Sequence, residues 1–279
     1  MAKPWQAPTA RISAKSRSFE EVVRDIRYCV FSVTRFRPDP PNQNQRFATV
    51  TLGSGFFVAP TVFLTCNHVM NGMRLPHQSG DNYRLLRSVG AGRVREISIP
   101  VVEIGQQLHL FPSQDAAILQ TPADDPQPFA SIGYTDAAEG HELGVAGYPL
   151  SQIVPGPDGQ PQFQGVYRVA KGVVTSTIRQ RLNPRPDPLT AELGTLEVNF
   201  LFVPGNSGGP VFDAETGRVL AYVHGFIDRE IVQRLADTKK EHVDAGANPK
   251  YIQSLYAVYS LGIQLDNIHA ILDEFGVTL

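Results

Sequence analysis

The chain has 279 residues, 42% of them hydrophobic and 19% charged, with 24 glycines and 22 prolines. That composition excludes a disordered or fibrous protein and describes a turn-rich globular one with a sizeable core. The 25 basic and 27 acidic residues leave a formal charge of -2, so nothing calls for nucleic acid or an anionic membrane, and the partner to expect is a protein or peptide substrate.

In chain order, residues 1–17 are polar, basic and proline-containing and read as a flexible arm. No apolar run follows them of the length a secretory signal needs, and none anywhere approaches the ~18 residues of a membrane span, so a soluble, cytoplasmic protein is expected. Ser18-Phe19-Glu20-Glu21 has the form of a capping box, and it predicts a short helix with Val22, Val23 and Ile26 on one side. A first strand is expected from Tyr28 to Phe36, followed by a proline- and amide-rich loop to Arg46.

Short strands separated by turn residues are expected over 47–52, 55–58, 62–65, 96–104, 116–120 and 142–147. Residues 151–162, with Pro155, Pro157 and Pro161, read as a boundary or surface loop. A second set of strands is expected over 165–178, 196–202, 210–212, 219–223 and 257–263. Two helical exceptions interrupt this pattern. Residues 228–250 are polar and charged, with Ile231 and Leu235 at helical spacing, and predict an exposed helical insertion from Asp228 to about Asp244. Ile268, Ile271, Leu272 and Phe275 recur as on one helix face behind a possible Asp266 cap, and predict a C-terminal helix laid against a barrel. The expected fold is all-β: two antiparallel barrels over residues 18–150 and 151–279, with a short helix near each end.

Three segments carry chemistry. Pro204-Gly205-Asn206-Ser207-Gly208-Gly209-Pro210 sits between two apolar runs. Its glycines permit a tight turn that lifts the Ser207 hydroxyl from a strand end and aims the Gly205 and Ser207 amides at one spot, where an oxyanion would be stabilised. A plain glycine-rich hairpin is the competing reading. The second segment runs from Gly53-Ser54-Gly55 to Leu64-Thr65-Cys66-Asn67-His68-Val69. A hydroxyl is a poor nucleophile unless an imidazole takes its proton, which His68 at the end of a buried strand could do; a structural histidine is the alternative. In the third, Asp115 opens the apolar run Ala116-Ala117-Ile118-Leu119, where its charge would need a partner such as an imidazole N–H. As a strand cap it would be unremarkable. The order His, Asp, Ser differs from that of the α/β-hydrolases, which also need Gly-x-Ser-x-Gly on a strand-to-helix elbow.

With these motifs, with Gly147-Tyr148-Pro149 and with the late Leu261-Gly262-Ile263-Gln264-Leu265, the chain resembles the trypsin/chymotrypsin-like serine peptidases, most closely the bacterial HtrA/Deg-type branch, over roughly residues 18–275. The resemblance implies two six-stranded antiparallel barrels of the chymotrypsin type and a serine endopeptidase that works through an acyl-enzyme without a cofactor. It implies Ser207 as nucleophile, His68 as general base and then acid, Asp115 as the residue that orients His68, and the amides of Gly205 and Ser207 as oxyanion hole. It also puts Leu201 near the base of the substrate pocket and Val223, His224 and Gly225 on the strand that pairs with substrate. Leu201 is uncharged, so a small or medium apolar residue is expected before the scissile bond, although His224 could instead polarise the pocket.

The sequence departs from the animal enzymes at Asn206, where they carry the aspartate that a freed amino terminus pairs with. Activation must therefore be absent or different, for instance through a protein partner. Because the sequence ends soon after the peptidase motifs, no PDZ module is expected, and the 228–250 insertion is a candidate lid or docking element. Two cysteines, Cys29 and Cys66, are too few for a disulfide-dependent scaffold, and reduced thiols are the simpler expectation, with a Cys29–Cys66 disulfide left open. Cys66 is expected to be a packed thiol. The remaining histidines lack metal-ligand spacing, and no metal is expected.

Overall fold

The computed structural model describes residues 17–37, 48–71, 82–90, 93–100, 106–149, 151–155, 161–181, 192–200, 202–230 and 256–279. The expected flexible arm lies outside these except for Arg17, which pairs with Asp25 at 2.5 Å. Helix α1 (Phe19–Cys29) begins as its sequence predicts: the Ser18 side chain accepts from the Glu21 amide at 3.3 Å, and the Glu21 carboxylate accepts from the Ser18 amide at 2.9 Å. Val22, Ile26 and Cys29 point to the core. The helix runs to Cys29, so the first strand starts at Val30 rather than Tyr28.

That strand, β1 (Val30–Arg37), lies in a sheet with β2 (Ala48–Ala59), β3 (Val62–Cys66), β4 (Asn82–Gly90), β5 (Arg93–Pro100), β6 (Leu108–Phe111) and β7 (Ala116–Gln120), in the order β5-β4-β1-β2-β3-β7-β6. All neighbouring pairs are antiparallel. The sheet has seven strands, not the six expected, and the pairings among the described residues do not close it. A single helical turn, α2 (Asn67–Asn71), follows β3 directly. Strands β4 and β6 escaped the sequence reading because they mix polar with apolar residues, and both are only partly buried. β2 is one strand where two were expected, because Gly53-Ser54-Gly55 passes through it at an irregular register with β1 instead of breaking it. All five residues of β3 are buried. Phe31, Phe57 and Phe63 meet edge-on beside it, with ring centroids 5.1–6.5 Å apart, and such pairs contribute about 0.5–1.5 kcal/mol each beyond area burial.

The second unit is a closed barrel of β8 (Glu142–Gly147), β11 (Arg168–Gln180), β12 (Leu193–Val198), β15 (Tyr256–Gln264), β14 (Val219–Glu230) and β13 (Pro210–Asp213), in that cyclic order. The expected boundary at residue 150 falls after β8, whereas the pairing of β8 with β11 and β13 puts the changeover between β7 and β8. The proline-rich stretch read as a loop contributes a small hairpin, β9 (Gln152–Pro155) with β10 (Pro161–Gln164). Asp228, expected to start a helix, is strand: β14 continues to Glu230 opposite Val258, Ala257 and Tyr256. The rest of that expected insertion lies outside the described residues.

After β15 a 3-10 turn (Leu265–Ile268) leads into α3 (His269–Glu274), a six-residue helix that buries Leu272, while Ile271 and Phe275 pack on the core. Asp266 does not cap it. Its carboxylate instead accepts the Thr135 amide at 2.9 Å, in the connection between the two units. Among the described residues no helix is long and apolar enough to cross a membrane.

Side chains and backbone stitch the two units together. Phe19 of α1 stacks on Phe212 of β13, Thr51 donates to the Ser151 carbonyl at 2.5 Å, and the Ala130 amide donates to the Phe57 carbonyl at 2.8 Å. The ends of β3, β7 and β8 meet the start of β13 and the middle of β14 along this seam.

Candidate active site

His68 enters the seam because β3 stops at Cys66 and the chain turns once through α2. Val69 and Met70 bury on the inner side of that turn, which leaves the His68 ring at the rim with its side chain 44% exposed.

Asp115 arrives from another element. A 3-10 turn, Pro112–Gln114, ends on it in the left-handed conformation (φ 50°, ψ 36°), and it has the one positive φ outside glycine among the described residues. A short polar side chain tolerates that conformation, and the surroundings hold it there. Its amide donates to the Pro112 carbonyl at 3.2 Å, its carbonyl accepts the Asn67 amide at 2.9 Å, and the Tyr222 hydroxyl supports the turn through the Gln114 carbonyl at 2.7 Å.

The two side chains meet twice. Asp115 Oδ1 accepts the His68 amide at 2.9 Å, and Oδ2 lies 2.7 Å from His68 Nδ1. A second ring shares that oxygen: His224 Nδ1 lies 2.6 Å from Oδ2. Burial works to raise the Asp115 pKa, but the hydrogen bonds from His224 and His68 and the nearby imidazoles outweigh it and hold the carboxyl well below the usual range. An ionised carboxylate only accepts, so both rings present Nδ1–H to it.

Ser207 sits in a turn held by several backbone hydrogen bonds. The Asn206 amide donates to the Val203 carbonyl (3.0 Å), Gly208 to Val223 (2.7 Å) and Gly209 to Asn206 (2.8 Å). Gly205 and Gly208 have φ of 97° and 83°. At Gly208 a Cβ would also run into Thr65 Oγ1 and the Ser54 carbonyl, so glycine is required there twice over. The amides of Gly205 and Ser207 have no acceptor among the described residues. The Ser207 hydroxyl donates to the His224 carbonyl at 3.4 Å, and no hydrogen bond joins it to His68 among the described residues.

Ser54 locks this turn to the first sheet. Its amide donates to the Ser207 carbonyl at 2.8 Å, its hydroxyl donates to the Gly205 carbonyl at 2.6 Å, and the same oxygen accepts the Tyr148 amide at 2.9 Å. Local sequence pattern assigns Ser54 no role, because its side-chain partners lie 151 and 94 positions along the chain. At Gly53 a Cβ would stand 2.8 Å from the Ser207 carbonyl and 2.7 Å from Val69 Cγ2, which is why that approach needs glycine.

Of the residues expected in the substrate pocket, Leu201 lies outside the described residues. Val223 is fully buried in the closed barrel's core, with its carbonyl taken by Gly208 and Cys66. Gly225 faces open space. His224 is half-buried with its ring on Asp115, a role that no pattern in the sequence announced.

Both cysteines are free and buried, Cys29 bonded to the Ile26 carbonyl at 3.0 Å and Cys66 to the Val223 carbonyl at 3.1 Å. Burial pushes the Cys29 thiol up to about 12 and the Cys66 thiol well above its ordinary value. Ligand-type atoms of Cys66, His68 and Asp115 lie within 4.8 Å of one another. With the thiol held protonated and the carboxylate occupied by imidazole donors, their arrangement fits a hydrogen-bond network better than an ion cage.

Residues 53–221, which contain His68, Asp115 and Ser207, match the family described as "Trypsin-like peptidase domain". No curated protein matches the sequence. Among solved structures, the HtrA-type protease AlgW with decapeptide is similar to the chain with a TM-score of 0.59 and 16% identity, over 92% of this chain and 67% of that one. AlgW with tripeptide has a TM-score of 0.54 at 17% identity, over 94% and 65%. The chain thus spans about two thirds of the length of these proteases, and the likeness is one of fold.

Proposed function

Since the chain belongs to the trypsin-like peptidase family, we propose that it is a serine endopeptidase in which Ser207 is the nucleophile, His68 the general base and Asp115 the residue that orients it. The observation that carries this reading is the pair of hydrogen bonds from His68 to Asp115, beside a serine turn whose Gly205 and Ser207 amides have no acceptor among the described residues. His68 Nε2 takes the Ser207 proton as Oγ attacks the scissile carbonyl, and the resulting oxyanion is met by the Gly205 and Ser207 amides. His68 then gives its proton to the leaving amine, an acyl-enzyme remains on Ser207, and water activated by the same ring releases it.

The substrate in this reading is a protein, supported by the fold similarity to proteases solved with a decapeptide and a tripeptide. An uncharged Leu201 favours a small or medium apolar residue before the scissile bond. The reading takes the first sheet as the other barrel of a chymotrypsin-type pair and places the protein in the cytoplasm, where its two unpaired cysteines would stay reduced.

A fluorophosphonate probe tests the assignment. Labelling of the wild type that disappears in Ser207→Ala and in His68→Ala is the expected result; labelling that survives in Ser207→Ala would overturn it. One observation favours a second reading, a site gated by a protein partner: the Ser207 hydroxyl is bonded to the His224 carbonyl and not to His68. A folded wild type that labels only after a partner is added would select that reading.

A further inference from the structure

His224 stands where β14 departs from regular pairing. Val223 pairs with Gly262 and Gly225 with Leu261, so His224 is the extra residue of a bulge. Bulges re-aim side chains, and this one turns an imidazole out of the barrel wall and onto Asp115. The ring meets His68 edge-on, centroids 5.5 Å apart and planes at 90°. Two imidazoles from different units of the fold therefore hold one carboxylate oxygen, at 2.7 Å and 2.6 Å.

Resting on the peptidase reading above, we propose that His224 is a positioning residue of the active site, which anchors Asp115 for His68 and couples its own protonation to that of the catalytic base.

The coupling follows from the charge count. With both rings neutral the cluster carries the single negative charge of Asp115. A first proton, on Nε2 of either ring, is offset by that carboxylate. A second would give two imidazolium ions in ring contact with one counter-charge between them, and it is opposed by their repulsion. The rings then titrate as a pair in two macroscopic steps.

The other titratable groups around the cluster do not interfere. Cys66 from β3 and Tyr222 from β14 both face Asp115, and burial keeps thiol and phenol neutral far above neutral pH. Asp115 stays ionised. The two imidazoles are left as the groups of the cluster that can take up a proton.

When His224 carries the shared proton, His68 is neutral but a weaker base. Turnover should then fall in two stages as pH drops, with a shoulder between them. His224→Asn keeps a donor at the position of Nδ1 and removes the titration, so its acid limb should follow a single ionisation, and its kcat should exceed that of a variant with no donor there. His224→Leu removes donor and titration together, and should lose about tenfold in kcat with KM unchanged and a single-step limb. Acid limbs of identical shape in wild type and His224→Asn would overturn the proposal. So would a His224→Leu chain as active as His224→Asn.

Ring NMR of the Ser207→Ala chain keeps this test separate from the peptidase reading. The His68 resonances should follow two pH steps in that chain and one when His224→Asn is added to it, whether or not the protein cleaves anything. A single step in both chains would overturn the coupling, whereas a wild type that no fluorophosphonate labels would count against the peptidase reading alone.

Discussion

The Ser54 hydroxyl donates to the Gly205 carbonyl at 2.6 Å, 151 positions along the chain, and accepts the Tyr148 amide in return. One fully buried side chain of the first sheet thus orients the Gly205–Asn206 peptide, which lies between the Gly205 and Ser207 amides, and ties it to the end of β8. With Ser54 Oγ removed, a carbonyl and an amide lose their partner at the seam between the two units.

Ser54→Ala should therefore cost stability and activity together. Each buried group left unpaired costs about 1–3 kcal/mol, so urea denaturation should show a loss in that range or somewhat above it. The fluorophosphonate labelling rate should fall by more than the folded fraction does, because the Gly205 peptide is freed to rotate. A variant as stable and as reactive as wild type would remove Ser54 from this account.

Asp115 makes stability depend on acid in a defined direction. Its folded pKa is depressed below the unfolded value of about 3.9. The stabilisation is therefore fully present above that value and is lost as pH falls toward the folded pKa. Asp115→Asn should be less stable than wild type at pH 7, with the gap narrowing below about pH 4. Its turnover should drop by on the order of 10⁴-fold, the loss known for that replacement in a trypsin-type triad, because the amide no longer selects the His68 tautomer. Melting curves from pH 3 to 8 would check the first outcome, and a gap that widens in acid would contradict it.

Cys66 is two residues from His68 yet has no part in the chemistry proposed. Iodoacetamide at pH 7.5 should leave both thiols of the native protein unmodified and alkylate both after unfolding, since burial holds each in its neutral form. Cys66→Ala should retain labelling at Ser207, with a stability loss of about 1–2 kcal/mol from the small cavity. Rapid alkylation of native protein accompanied by loss of labelling would show a reactive thiol in the site.

Much of this was written locally. The capping box at Ser18, the strand that delivers His68, and β7 and β8 emerge from residue pattern alone, because caps and alternation act over a few positions. The glycines around Ser207 signal a turn for the same reason: positive φ at Gly205 and Gly208 is a property of single residues. Polar strands such as β4, the extension of β14 through Asp228, and the hairpin of β9 with β10 were not legible, since pairing partners far along the chain override weak local preference.

The sequence by itself determined which side chains could perform the chemistry: a hydroxyl on a glycine turn, an imidazole after a buried strand and a carboxylate before another. Only the tertiary structure decided which of them share atoms. Asp115 in a left-handed turn, Ser54 across the seam on Gly205 and His224 on a bulge facing Asp115 are contacts between distant segments. Such contacts are set by how two sheets pack and where a strand loses register, and neither leaves a periodic signal in the chain.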